Sequence, residues 1–202
     1  MIYLDEFIIG YKNDLKLTYT KMKKLIIYSA PNQSSFTHKI VAKLKEKYPN
    51  SELIDLYSNE YKLDFLKFED KRNMPTNPIV EKIQKKIKES DEMIFVFPVW
   101  WWNCPAIMKN MIDSVFISWF AFEYTAEWKK ELLSDKFASV IATCDAPWNI
   151  YLQDSAWTWI NLKDYFEKAI FGFSGIKLKD FKLIDKLRER RKTQEKEILE
   201  SL

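Results

Sequence analysis

Only three glycines, Gly10, Gly172 and Gly175, occur in the 202 residues, so a G-x-G-x-x-G dinucleotide fingerprint cannot be written anywhere in the chain. A single histidine, His38, excludes a multi-histidine metal site, and no metal is expected. The two cysteines, Cys104 and Cys144, have no C-x-x-C partner and read as reduced thiols rather than a disulfide framework. No apolar run approaches the roughly 20 residues that span a bilayer, so stable membrane insertion is not expected. Charge of one sign is also missing: the net of +3 is spread along the chain, too weak a bias for a nucleic-acid partner. The start, MIYLDEFIIGYKND, has no basic leader region ahead of its apolar residues. Together with the reduced thiols, that gives a cytoplasmic location as the expectation.

Aromatic residues, by contrast, are abundant and crowded. All eight tryptophans fall between Trp100 and Trp159. The densest stretch, Asp91 to Phe116, begins with an acid pair and runs through the wholly apolar Met93 to Phe97 to a stop at Pro98. Three consecutive tryptophans follow, Trp100 to Trp102. Pro105 then opens a segment with Ile107, Met108, Met111, Ile112 and Val115 at helical spacing. This reads as a buried strand, a stiff aromatic loop and a helix whose first turn tolerates proline. Three indoles in a row cannot all enter a core, so at least one ring face is left for a flat, apolar partner.

The rest of the chain alternates strand and helix patterns. Lys24 to Ser29 reads as a first strand, with a helix faced by Phe36, Ile40, Val41, Leu44 and Tyr48 after it. Glu52 to Leu56 is a second strand, followed by a long polar loop and a helix built on Ile79, Val80, Ile83 and Ile87. Lys136 to Thr143 gives a fourth strand, Trp157 to Phe171 a fourth helix, Lys177 to Ile184 a fifth strand, and Lys186 to Leu202 a charged terminal helix. Such alternation implies an α/β fold: a five-stranded parallel sheet with helices on both faces, a three-layer sandwich. Residues 1–22 stand outside the pattern as an extension, and 23–202 form the domain.

A doubly wound sheet of this kind holds its ligand at the carboxyl ends of strands one and three, where strand order reverses. The loop after strand one, Ser29 to Thr37, is rich in hydroxyls and feeds directly into a helix. Ser35, Phe36 and Thr37 can therefore present hydroxyl and free N–H donors to a phosphate. A plain helix cap would explain Ser35 equally well by itself. The tryptophan loop beside it tips the balance, since phosphate donors in one loop and a flat slot in the next suit flavin mononucleotide. The slot would be formed by the backbone of Pro98, Val99, Trp100, Trp101 and Trp102. FMN is expected over FAD, the alternative, because no segment beyond the fifth helix remains to hold an adenosine.

At this point the residues carry a resemblance. The string Pro98-Val99-Trp100-Trp101-Trp102-Asn103-Cys104-Pro105-Ala106, with Lys109, Asp113 and Val115, is similar to the NAD(P)H:quinone oxidoreductase and modulator-of-drug-activity branch of the flavodoxin-like flavoproteins. Phe120-Ala121-Phe122-Glu123-Tyr124 resembles the segment that in this family borders the acceptor cavity of a partner subunit. Thr143, Cys144, Asp145 and Ala146 resemble the loop facing the pyrimidine end of the flavin. Asp55-Leu56-Tyr57 and Phe173-Ser174-Gly175-Ile176 fit as well. The chain departs from many relatives in carrying Ala30 where they have a histidine, and Cys144 and Asp145 where they have a Thr-Thr-Gly-Gly turn. Asp145 would help only if turned away from a flavin that gains negative charge.

The resemblance implies a flavodoxin-like fold and an FMN-dependent oxidoreductase. NAD(P)H is the expected co-substrate, delivering hydride to the flavin and leaving before a quinone or similar flat acceptor enters the same slot. Tyr151 is the expected hydrogen-bond donor to the reduced flavin, and Trp102, Phe122 and Tyr124 the walls around the acceptor. His38 is expected to be a solvated helix residue. Trp119, Phe120, Phe122, Tyr124 and Trp128 are too aromatic for a free loop, which gives a symmetric homodimer as the expected assembly. The alternative is a docking or ancillary protein of the same fold with little turnover.

Overall fold

The computed structural model describes residues 22–70, 77–147 and 161–202. Its central sheet has five parallel strands in the order β2-β1-β3-β6-β7: β1 Lys24–Tyr28, β2 Glu52–Asp55, β3 Glu92–Pro98, β6 Phe137–Thr143 and β7 Lys177–Ile184. The five strands are those expected from the sequence, and strand order reverses between β1 and β3.

Both faces of the sheet are covered, which is why β1 and β3 are apolar without alternation in composition. Alternation persists in where the side chains go. Leu25, Ile27, Phe95 and Phe97 enter a core with helices α2 (Pro78–Glu89) and α3 (Ala106–Val115). Ile26, Tyr28, Ile94 and Val96 enter a second core with helix α1 (Phe36–Lys47).

The helix before β7 begins, among the described residues, as α4 (Leu162–Asp164). It widens into a π-helical segment, Tyr165–Phe171, and closes as α5 (Gly172–Ser174). Residues five apart point to different sides of an α-helix, whose turn is 3.6 residues. The wider turn lets Phe166 and Phe171 both reach β3: Phe166 stacks on Phe97 at 5.2 Å and Phe171 packs on Phe95 at 5.3 Å.

Two expectations change. The terminal helix is two short ones, α6 (Leu187–Thr193) and α7 (Glu195–Glu200), broken at Gln194. The break lets Ile198 of α7 turn onto α1 and the second core. The aromatic stretch after α3 is a hairpin of β4 (Phe122–Thr125) and β5 (Trp128–Glu131), paired antiparallel. Its turn, Ala126-Glu127, has none of the Asn-Gly chemistry that announces a hairpin in sequence.

At the amino end of the sheet, Glu92 is buried and accepts from Lys24 Nζ at 2.7 Å, Ser139 Oγ at 2.7 Å and Lys179 Nζ at 3.1 Å. Lys179 reaches it through a bulge: Ala138 pairs with Leu178 and Ser139 with Asp180, so Lys179 is the extra residue and is re-aimed at the carboxylate. Burial alone would raise the Glu92 pKa, but the donors from Lys24, Ser139 and Lys179 outweigh it and hold the carboxyl below its ordinary value. A depressed folded pKa contributes stability above the unfolded value of 4.5, and that contribution is lost as pH falls through the folded value. Glu92→Ala takes from two lysines the carboxylate they share. It should cost about 3–5 kcal/mol in urea unfolding at pH 7, followed by circular dichroism. The difference from wild type should shrink below pH 4.5.

Candidate functional site

Three loops meet at the carboxyl edge of the sheet because the strands that feed them are in register there. Tyr28 lies opposite Val96, and Pro98 opposite Thr143. Ser29 N donates to Val96 O, Val99 N to Thr143 O at 2.8 Å, and Cys144 N to Ile184 O. The loops after β1, β3 and β6 are thereby tied side by side. A buried bond between Thr37 Oγ1 and Thr143 Oγ1, 3.0 Å long, links the first helix directly to the end of β6.

The loop after β1 turns on Asn32, whose side-chain oxygen accepts from Ser34 N and Ser34 Oγ. Ser35 caps α1, its Oγ accepting from His38 N at 3.2 Å. The N–H groups of Phe36 and Thr37 lie in the first turn and have no acceptor within the helix. That turn carries no acidic residue. At the floor, the Ser29 hydroxyl is buried without a hydrogen-bond partner.

His38 is not solvated as expected. It is half-buried, its ring lies 5.8 Å from that of Tyr28, and both its Nδ1 and the Tyr28 hydroxyl are buried without a partner.

The tryptophan loop is a tight turn. Trp100 N donates to Asn103 O at 2.9 Å and Asn103 N to Trp100 O at 3.0 Å, enclosing Trp101 and Trp102. Their φ angles are +48° and +62°. A two-residue turn with both central residues left-handed is normally built from Asn-Gly. Here it is built from two indoles, which stores strain. In return the Trp101 ring stands 92% exposed, the free ring face that the sequence called for. Asn103 Oδ1 accepts from Cys104 N at 2.7 Å and steadies the exit from the turn.

In the loop after β6, the Asp145 carboxylate is held by the start of the next helix. It accepts from Arg188 N at 2.8 Å and pairs with the Arg188 guanidinium, which directs it to the start of α6. Cys144 and Cys104 are buried, and burial pushes both thiols up to about 12, so neither is a ready nucleophile. Tyr151 lies outside the described residues.

Phe122 and Tyr124 stand on the hairpin after α3. They line a cavity of about 530 Å³ with Leu66, Phe68, Tyr165 and Phe173, between α3, the π-helical segment and the hairpin. The loop on its rim is spooled on buried Asn110, whose amide donates to the carbonyls of Leu63 and Asp64. Phe173, a match to the family pattern in sequence, takes its place in this lining just before the left-handed turn at Gly175, φ +82°.

The strand order is that of a known family. A family model described as flavodoxin-like fold matches residues 22–202. The chain belongs to that family. It is 30% identical over 172 residues to an FMN-dependent NADH:quinone oxidoreductase of Clostridium beijerinckii, covering 77% of this chain and 82% of the relative. Rat ribosyldihydronicotinamide dehydrogenase [quinone] is 35% identical over 81 residues, 40% of this chain and only 35% of that relative. Among solved structures, Smu.1420 from Streptococcus mutans UA159 aligns with a TM-score of 0.73 and 25% identity, covering 89% of this chain and 96% of the other.

The strain in the tryptophan turn can be measured. Trp101→Asn puts a residue that tolerates the left-handed region at a ring-exposed position, and should raise stability by about 0.5–1 kcal/mol. A lower urea midpoint for that variant would mean that Trp101 is held by contacts worth more than the strain.

Proposed function

We propose that this protein is an FMN-dependent NADH:quinone oxidoreductase, cytoplasmic and homodimeric. The observation that carries the reading is the juxtaposition of an acid-free helix start with a strained, ring-exposing turn across one switch point. Its sequence kinship to an enzyme of that name over most of both chains supports it.

The residues fit the cofactor. Ser35 Oγ, with the N–H groups of Phe36 and Thr37, would hold the phosphate, where the helix dipole and free donors favour an anion. The Ser29 hydroxyl is a buried polar group with no other use in the described structure. The backbone of Pro98 to Trp102 and of Thr143 to Ala146 would line the ring, with the Asp145 charge already neutralised by Arg188. FMN, when bound, supplies the two-electron chemistry that passes reducing equivalents from NADH to a quinone, so both substrates use one slot in turn. The protein's share is to orient them, and a well-oriented slot removes several kcal/mol of barrier without a dedicated acid or base. Tyr151 is the proposed hydrogen-bond donor to the reduced ring. Tyr151→Phe should slow flavin reduction in the stopped flow and leave the acceptor KM unchanged.

The acceptor walls are proposed to be Trp102 of one subunit and Phe122 and Tyr124 of a second copy. Phe122 and Tyr124 line the cavity beside the hairpin, and Tyr124 is 61% exposed, open to a second copy. No helix among the described residues is long and apolar enough to cross a membrane. The alternative of a docking or ancillary protein draws no support from these relatives, which are named as enzymes.

Three measurements test the proposal. Ser35→Ala should weaken FMN, in a fluorescence titration, by the roughly 1.5–3 kcal/mol of a charge-assisted bond, beyond the roughly 1 kcal/mol of lost cap seen in the stability of the apoprotein. Flavin-loaded protein that oxidises no NADH with several quinones would end the enzyme reading. Light scattering at micromolar concentration should give about twice the 24.3 kDa of one chain, and Phe122→Asp with Tyr124→Asp should return it to one.

A further inference from the structure

The hairpin that carries Phe122 and Tyr124 is too small to hold itself. Two strands of four residues, separate from the main sheet, are marginal in water. Register places Phe122 opposite Glu131 and Tyr124 opposite Lys129, so these four side chains share one face. That face meets the turn after the π-helical segment. Leu133 N donates to Ser174 O at 3.1 Å. Gly175, at φ +82°, lets the chains approach so closely that a Cβ there would lie 2.8 Å from Glu131 Cβ and 3.2 Å from Ser134 Cα.

Lys129 is the unusual member. Its neighbours Trp128 and Lys130 are exposed, yet its own side chain is only 11% exposed. Its ammonium donates to Phe173 O at 2.8 Å and pairs with Glu131 at 3.0 Å. It also stands 4.6 Å over the centre of the Phe173 ring. That ring in turn meets Phe122 edge-on at 4.8 Å, and Phe122 meets Tyr124 at 5.4 Å. One cation therefore holds the first ring of a three-ring chain and anchors β5, the partner of the strand that bears the other two. A lysine buried this far gives up hydration, and it is retained where the ring face and the carbonyl replace that hydration.

We infer that Lys129 is a positioning residue for the acceptor site: by clamping Phe173 it sets the angle of Phe122 and Tyr124, the wall presented to flat acceptors. This rests on the proposed reading of those two aromatics as acceptor walls. Lys129 is not among the residues proposed to hold the cofactor or to wall the acceptor, so its loss acts through the rings it positions, on the binding of flat molecules in the slot.

The test uses the FMN-loaded protein with Lys129→Met, which keeps the stem and removes the charge, and Lys129→Arg, which keeps a cation for the ring. The Met variant should raise the quinone KM about tenfold, and the Arg variant should stay within about threefold of wild type. FMN content and the rate of flavin reduction at saturating NADH should be unchanged in both. Independently of activity, amide hydrogen exchange across Phe122–Thr125 and Trp128–Glu131 should quicken about tenfold in the Met variant and not in the Arg variant. Unchanged exchange overturns the clamp. Faster exchange with an unchanged KM, in a protein that reduces quinones, overturns the positioning role. A Met variant that loses FMN and unfolds overturns it too, since Lys129 would then serve the whole fold. If wild type reduces no quinone while exchange still quickens, the clamp stands and the proposed reaction falls.

Discussion

Strand β3 has no face that meets water, and most of the molecule follows from that. From Met93 to Phe97 every side chain is buried, alternately against α1 and against α3 with the π-helical segment. A strand in that position can carry polarity only at its ends. At the amino end the polar residue is Glu92, tolerable because two lysines and a serine converge on it. At the carboxyl end proline closes the ladder and the chain must leave abruptly. The exit is the tryptophan turn, so the same constraint that builds the core also places large rings at the crevice.

The crevice is held from both sides by unlike means. The Thr37–Thr143 hydroxyl bond joins the first helix to the end of β6, and strand register fixes the loop between them. These are ordinary, well-paired contacts that resist displacement. The turn they frame is the opposite: two left-handed tryptophans in a conformation that glycine and asparagine would adopt more readily. A rigid frame around a strained tip is what a slot for a flat molecule needs, because the frame keeps the tip from relaxing.

The sequence made β1, β3 and β6 legible because buried parallel strands are apolar runs of a length that helices seldom have, and the partly buried edge strands β2 and β7 by their place in the alternation of strand and helix. It made the switch point legible for the same reason, and with it Ser35 to Thr37 and Trp100 to Trp102. Three features were not legible. The hairpin lacks turn chemistry at Ala126-Glu127. The break at Gln194 reflects the packing of Ile198 on α1, a tertiary effect that helix propensity does not carry. The burial of His38 against Tyr28 depends on how α1 is rotated over the sheet, which spacing alone leaves open.

A last consequence concerns light rather than chemistry. Among the described residues the five tryptophans, Trp100, Trp101, Trp102, Trp119 and Trp128, are between 43% and 92% exposed, and none belongs to either core. The fully buried aromatics are phenylalanines and Tyr28. The indoles described here therefore emit from a wet rim in the folded state, and losing the core changes their surroundings little. Their intrinsic emission is a poor gauge of unfolding in this protein. It is a sensitive gauge of anything flat and absorbing that settles at the carboxyl edge of the sheet.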